Sequence, residues 1–292
     1  MQQMESDEKQ MQEDWDMLIE PRAGLLNMNL KEVMSHGYLM RMFVRRDFVS
    51  AYKQTILGPL WFFIQPLLTT LTFTVIFGNV ANISTDGLPH VIFYMSGITI
   101  WNYFSETLTA TSNTFIQNAN LFGKVYFPRL IMPITRVVSG LMKFGIQFVL
   151  FLIFIFYYMY TGAAVKPDLT GILVVTPLVL LIMAGIGLGF GMILSALTTK
   201  YRDLVFLITF GIQLLMYATP VIYPMSSMSS KYKWIIEANP LSWIVEAFRK
   251  VYLGTGLLDW NGILYSFCFM VVILVVGIIT FNKVERTFID TV

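Results

Sequence analysis

The chain has 292 residues, 56 % of them hydrophobic and only 13 % charged, with a mean hydropathy of +0.65 and a net charge of +2. A soluble domain carries about a quarter charged residues, so a soluble enzyme or binding module is excluded. One cysteine (Cys268) and two histidines (His36, His90) exclude an intrachain disulfide and a zinc-type ligand set built from His and Cys.

Residues 1–28 form an acidic lead, with Glu5, Asp7, Glu8, Glu13, Asp14, Asp16 and Glu20. It lacks the basic start and apolar core of a cleavable signal peptide and reads as a partly disordered cytoplasmic segment. Residues 29–55 read as an amphipathic helix resting at the membrane interface. Asn29 and Glu32 fit a capping box, and Leu30, Val33, Met34, Gly37, Met40, Val44, Phe48 and Ala51 form one apolar stripe at helical spacing. Leu39, Met42 and Phe43 project from the other side, and Arg41 interrupts the stripe. Two readings stand: a plain surface helix, or one covered by lipid on one side and protein on the other.

From residue 56 to 292 the chain breaks into six apolar stretches, at about 57–79, 89–115, 135–162, 170–197, 204–224 and 261–282. Each is near or above the roughly 20 residues that cross a hydrocarbon core about 30 Å thick. Backbone polar groups in lipid must be satisfied within the segment, so all six are expected to be helices. Pro59 suits a first helical turn, and Pro66 is expected to kink the first span. The segment 118–133 is short, basic and broken by Pro128 and Pro133. The segment 225–260 is too short and interrupted to cross. It reads as a pair of re-entrant helices, the second capped by Asn239 with Pro240 at its first position.

With the N-terminus inside, 14 of the 20 Lys and Arg residues fall on the cytoplasmic side and five (Lys166, Lys231, Lys233, Arg249, Lys250) outside. That bias places both termini in the cytoplasm. The fold expected is an all-α polytopic membrane protein with six transmembrane helices, N-in and C-in, whose task is to move something across the membrane.

No nucleotide-binding motif is present. Gly123-Lys124 lacks the glycine and the Ser/Thr of a phosphate-binding loop. Gly185, Gly187, Gly189 and Gly191 sit inside a span without a preceding strand, and close helix packing explains them. Two ionisable residues lie inside spans, Glu106 and Lys143. They read either as partners facing the bundle or as separate side chains snorkelling to the interface; a proton relay is a third option. Trp61, Trp101, Tyr103, Phe104, Tyr217, Tyr223, Trp234, Trp243 and Phe248 fit interfacial belts or, alternatively, the wall of a sugar conduit and its outer mouth.

Several strings resemble the type-2 ABC transporter permeases that export lipid-linked polysaccharides. They are Arg46-Asp47 followed by YKQTILGPLWFFIQPLL (52–68), SGITIWNYFSETL (96–108), NANLFGKVYFPRLIMP (118–133), TKYRDL (199–204), TPVIYPMS (219–226), ANPLSWIVEAFR (238–249) and FNKVERTFIDTV (281–292). The resemblance runs from about residue 29 to the end, with the motifs in order; the acidic lead has no counterpart. It implies a half-transporter that pairs with a second copy of itself and docks on two separate ATPase subunits, which hold ATP and Mg. This chain itself would carry no cofactor, no metal and no catalytic residue, and nucleic acid is no partner. By the same resemblance Asn120, Leu121, Phe122, Gly123, Lys124, Val125, Tyr126, Phe127, Pro128 and Arg129 form the segment coupled to the ATPase, with Arg45, Arg46 and Asp47 of the interface helix beside it. The cargo implied is a polyprenyl-diphosphate-linked glycan in the bacterial cytoplasmic membrane: O-antigen first, then teichoic acid, then capsule. The alternatives are a type-2 permease for a small molecule, an ion-coupled secondary transporter, for which internal repeats are lacking, and a membrane glycosyltransferase, for which paired external carboxylates are lacking.

Overall fold

The computed structural model describes residues 35–53, 55–122, 127–201 and 203–288; the Asn29–Glu32 capping box and the acidic lead lie outside them. Among the described residues there are ten α-helices and no strand. In chain order they are α1 (Gly37–Tyr52), α2 (Trp61–Phe73), α3 (His90–Ser112), α4 (Thr114–Phe122), α5 (Ile131–Tyr160), α6 (Leu169–Lys200), α7 (Leu204–Tyr217), α8 (Ser230–Ala238), α9 (Pro240–Leu253) and α10 (Trp260–Phe288).

Four of these are long and apolar enough to cross a membrane: Gly58–Val80 around α2, Ile131–Tyr160, Leu169–Lys200 and Trp260–Val284. The first begins with a short 3-10 turn bearing Pro59 and ends in a π-helical turn, Thr74–Val80, with Pro66 inside it. The remaining two expected spans differ for separate reasons. Helix α3 has 23 residues, enough to span, but carries many Ser, Thr and Asn side chains. Sixteen of its residues are buried, so protein surrounds it and its sequence need not suit lipid. Helix α7 stops at Tyr217 after 14 residues, about 21 Å, because Pro220 and Pro224 end the helix that the apolar run to 224 suggested.

Helix α6 is the centre of the bundle, and its glycines serve two faces. A Cβ on Gly185 or Gly189 would collide with Met270 or the Ile273 backbone of α10, while one on Gly187 or Gly191 would strike Thr107 or Thr111 of α3. Each pair is four residues apart, so one helix presents two small-residue grooves at once. Gly277 of α10 completes the first contact: its added Cβ would lie 2.5 Å from the Gly189 carbonyl oxygen.

The two ends of the bundle are held differently. At the basic end an aromatic cluster joins α1, α4, the residues before α5, and α10. Phe115 stacks on Phe281 at 4.6 Å, and Phe127 lies 5.8 Å from Phe43 and 5.7 Å from Phe122. Phe43 is thereby among the most buried residues of α1 (4 % exposed), so protein covers the side of the helix away from the apolar stripe at this position. Met40, Phe43, Val44 and Asp47 turn inward together while Arg41, Met42, Arg45 and Arg46 are exposed. At the opposite end α9 begins as expected, with the Asn239 side chain accepting from the Leu241 amide at 3.0 Å and Pro240 following, and it ends at Gly254 (φ 84°). Backbone hydrogen bonds from Lys166 to Leu253 and from Asp168 to Val251 tie it to the α5–α6 turn.

Candidate functional site

Helix α3 carries Asn102, Ser105, Glu106 and Thr109, with Asn113 capping its C-terminus, at three- and four-residue intervals, one face of a helix. Helix α5 carries Arg136, Gly140, Lys143 and Gln147 at intervals of four, three and four. Gly140 lets the helices approach, since a Cβ there would lie 3.3 Å from the Thr107 hydroxyl and 3.5 Å from the Tyr103 ring. The stripes therefore meet. Lys143 ion-pairs with Glu106, the Asn102 amide donates to Gln147 Oε1 at 3.1 Å, and Arg136 donates to Gln117 Oε1 at 3.1 Å and to Asp47 Oδ2 at 2.7 Å. Beside them a cleft of about 390 Å³ opens, closed on one side by Gln65 of α2 and floored by Tyr103 and Phe144.

Each charged side chain lining the cleft is ion-paired. Glu106 answers Lys143, and Asp47, also bonded to Arg46 at 2.9 Å, answers Arg136. The Glu106 and Lys143 side chains remain 42 % and 23 % exposed, so the pair faces an open space. Separate snorkelling is thus replaced by a pair. Of the cleft's polar residues, Glu106 and Lys143 stand out in the sequence because they are charged. The amides and hydroxyls beside them carry an equally regular signal, period 3.6 in polar residues within an apolar run, which hydropathy alone hides.

The segment 120–129, expected from the resemblance to couple to an ATPase, is anchored at its described ends. Phe122, Phe127, Pro128 and Arg129 are buried, Leu121 is half-buried, and the Arg129 guanidinium lies 5.3 Å from the Phe122 ring centre. Asn120 belongs to α4, and Gly123, Lys124, Val125 and Tyr126 lie outside the described residues. Arg45 and Arg46 are exposed, whereas Asp47 reaches across to α5.

The aromatic candidates separate into two sets. Trp101, Tyr103, Phe104 and Phe248 are buried in the core. Phe248 packs on Phe151 and Tyr252, Trp101 packs on Phe104, and Tyr103 packs on Phe144 while also lining the cleft. Alternation of apolar residues cannot separate a packed ring from a lining one. Trp61, Tyr217 and Trp234 are exposed. Tyr223 donates to the Tyr217 carbonyl at 3.0 Å, and Trp243 donates to the Glu237 carbonyl at 2.9 Å while covering Gly262.

Arg249, counted above as an external charge, is fully buried. Its guanidinium donates to Glu246 Oε1 at 2.8 Å, to the Pro220 carbonyl at 2.9 Å and to the Val221 carbonyl at 3.3 Å, and lies 3.9 Å from the Phe93 ring centre. Glu246 in turn accepts from the Met225 and Leu257 amides at 3.3 and 3.2 Å. The pair pins the Pro-broken stretch after α7 to α9, to α3 and to the turn before α10.

The family model of the ABC-2 type transporters matches residues 38–253, from the interface helix to the end of α9. The chain belongs to this family. It is a multi-pass membrane protein and a transport subunit. Similar proteins include two O-antigen export system permease proteins RfbA of Klebsiella pneumoniae, 28 % and 27 % identical over 266 residues, covering 90 % of this chain and 99 % of each relative. A third, the O-antigen export system permease protein RfbA of Myxococcus xanthus, is 25 % identical over 265 residues, or 90 % of this chain and 98 % of that protein.

Proposed function

We propose that this chain is the membrane-spanning permease subunit of an ATP-driven exporter that carries a polyprenyl-diphosphate-linked O-antigen across the bacterial cytoplasmic membrane. The observation that carries this reading is the end-to-end similarity to three proteins named as O-antigen export permeases. A polar cleft whose charges are ion-paired, set among the apolar helices, adds support, since a glycan exporter needs hydroxyl-compatible surface at that depth.

The topology that fits has six spans, with α3 and α7 joining the four long apolar helices, both termini inside, and α8 and α9 re-entering from the outside without crossing. Nine and 14 residues reach only about 14 and 21 Å. Cysteines introduced at Ser229 and Asp259, in a background lacking Cys268, should both react with an impermeant thiol reagent from outside; labelling of either from the cytoplasm alone contradicts this topology. The chain works as a pair with a second copy, on two ATPase subunits that hold ATP and Mg. Exposed apolar rows on α2 (Leu68, Leu71) and α7 (Phe206, Phe210, Leu214) are faces that lipid or that second copy would cover. Buried Phe122, Phe127 and Arg129 anchor the described ends of the segment that meets the ATPase.

Deleting the gene should abolish surface O-antigen while lipid-linked glycan accumulates inside, and the wild-type chain should restore it. Undiminished surface glycan in the deletion strain contradicts the reading.

A further inference from the structure

We propose that the cleft between α3 and α5 is a binding site for uncharged sugar hydroxyls, which takes the first rings of the glycan as they enter from the inner leaflet. The inference rests on the transport reading above and deepens it by naming the site and the chemistry it accepts.

Three observations carry it. The walls are polar along about 16 Å of α5, from Arg136 to Gln147, a length that holds a few sugar rings end to end. Each charged wall side chain is already ion-paired, Lys143 with Glu106 and Arg136 with Asp47. A phosphate would have to displace a carboxylate to reach either cation, whereas a neutral polyol needs no counter-charge. What remains to bind with are amides and hydroxyls, both donors and acceptors: Gln65, Asn102, Thr109, Asn113 and Gln147. Asn102 donates to Gln147 Oε1 at 3.1 Å and Asn113 donates to the Thr109 carbonyl at 2.9 Å, so an incoming hydroxyl exchanges with hydrogen bonds already made. Weak exchange of this kind suits a cargo that must slide on. The volume of about 390 Å³ lies within the usual range for small-ligand sites.

Thr109 is exposed on the cleft wall and serves as the reporter. Thr109→Cys, in a chain carrying Cys268→Ser and assembled with its ATPase, is labelled by a hydrophilic thiol reagent in inside-out membrane vesicles with turnover stopped by vanadate. Labelling should be fast in vesicles from a strain unable to make the glycan and severalfold slower in vesicles whose own lipid-linked glycan is present. Inorganic pyrophosphate added to the glycan-free vesicles should leave the rate unchanged. Protection by pyrophosphate would make this an anion site, no effect of glycan would leave the cleft outside its path, and an unreactive cysteine in both would mean that protein covers it; each overturns the proposal. Asn102→Leu with Gln147→Leu should reach normal membrane abundance and lose most surface glycan; full export would contradict the assignment. If the wild-type chain restores surface glycan in the deletion strain while Thr109→Cys shows no protection, the transport reading stands and only this site falls.

Discussion

The molecule holds two acid–base pairs of opposite character. Glu246 and Arg249 sit one turn apart on α9, each 1 % exposed, with their remaining hydrogen bonds going to backbone groups of the stretch after α7 and of the turn before α10. Glu106 and Lys143 join two helices, face an open cleft, and stay 42 % and 23 % exposed. A sealed pair acts as a strut, because removing either partner strands a buried charge. An open pair costs little to keep and little to lose, and its effect is to make a membrane-depth surface both polar and neutral.

Removing the strut should have the largest effect. Arg249→Ala leaves Glu246 buried and unpaired, at a cost of about 3–5 kcal/mol, and should remove the protein from the membrane or sharply lower its unfolding temperature in detergent. The double variant Glu246→Gln, Arg249→Met should recover much of that loss, since no naked charge remains. If the double variant is as unstable as Arg249→Ala, the guanidinium's bonds to Pro220 and Val221 matter more than charge balance.

Next comes the small-residue seam. Gly189→Leu drives a side chain into the Ile273 backbone, overpacking that costs about 1–3 kcal/mol, and the unfolding temperature should fall. Gly145→Ala on α5, where nothing lies within 4 Å of an added Cβ, should leave it unchanged or raise it. Equal effects of the two would argue against the α6–α10 contact.

The open pair predicts a smaller change in stability. Lys143→Met should cost about 0.2–1 kcal/mol, as for other exposed pairs, with abundance preserved. Export should nonetheless drop, because Glu106 then leaves the cleft wall with an uncancelled charge. A loss of stability as large as that of Arg249→Ala would erase the distinction between the two pairs.

Smallest is the cap of α6. The Thr170 hydroxyl, followed by the Gly171 amide, holds the exposed Asp168 carboxyl below its ordinary value. A depressed folded-state pKa gives stability that is full above the unfolded value and lost as pH falls through the folded one. Wild type should therefore keep its cap stability down to about pH 5 and lose it below about pH 4. Asp168→Asn should show a weaker acid dependence of unfolding temperature; an identical profile would mean the cap contributes nothing.

Much of this was legible in the residues. Apolar runs located the long helices, Asn239-Pro240 gave the start of α9, and the alternate glycines of α6 announced close packing on two sides. Burial was not legible. A charge count places Arg249 outside because it weighs lysines and arginines without knowing what covers them, and the rings of Trp101, Phe104 and Phe248 look alike whether they line a path or fill a core. Helix α3 was legible as an apolar stretch at 89–115, but not that protein surrounds it or that its Asn and Thr stripe is a wall of the cleft.

The most direct measurement is transport itself. This chain and its ATPase, reconstituted in proteoliposomes with lipid-linked glycan, are assayed for movement of the glycan to the lumen by its protection from an externally added glycosidase. The account predicts protection that requires ATP hydrolysis and this chain together, and that is insensitive to ionophores. Hydrolysis without protection, or protection that follows an ion gradient without ATP, would contradict it.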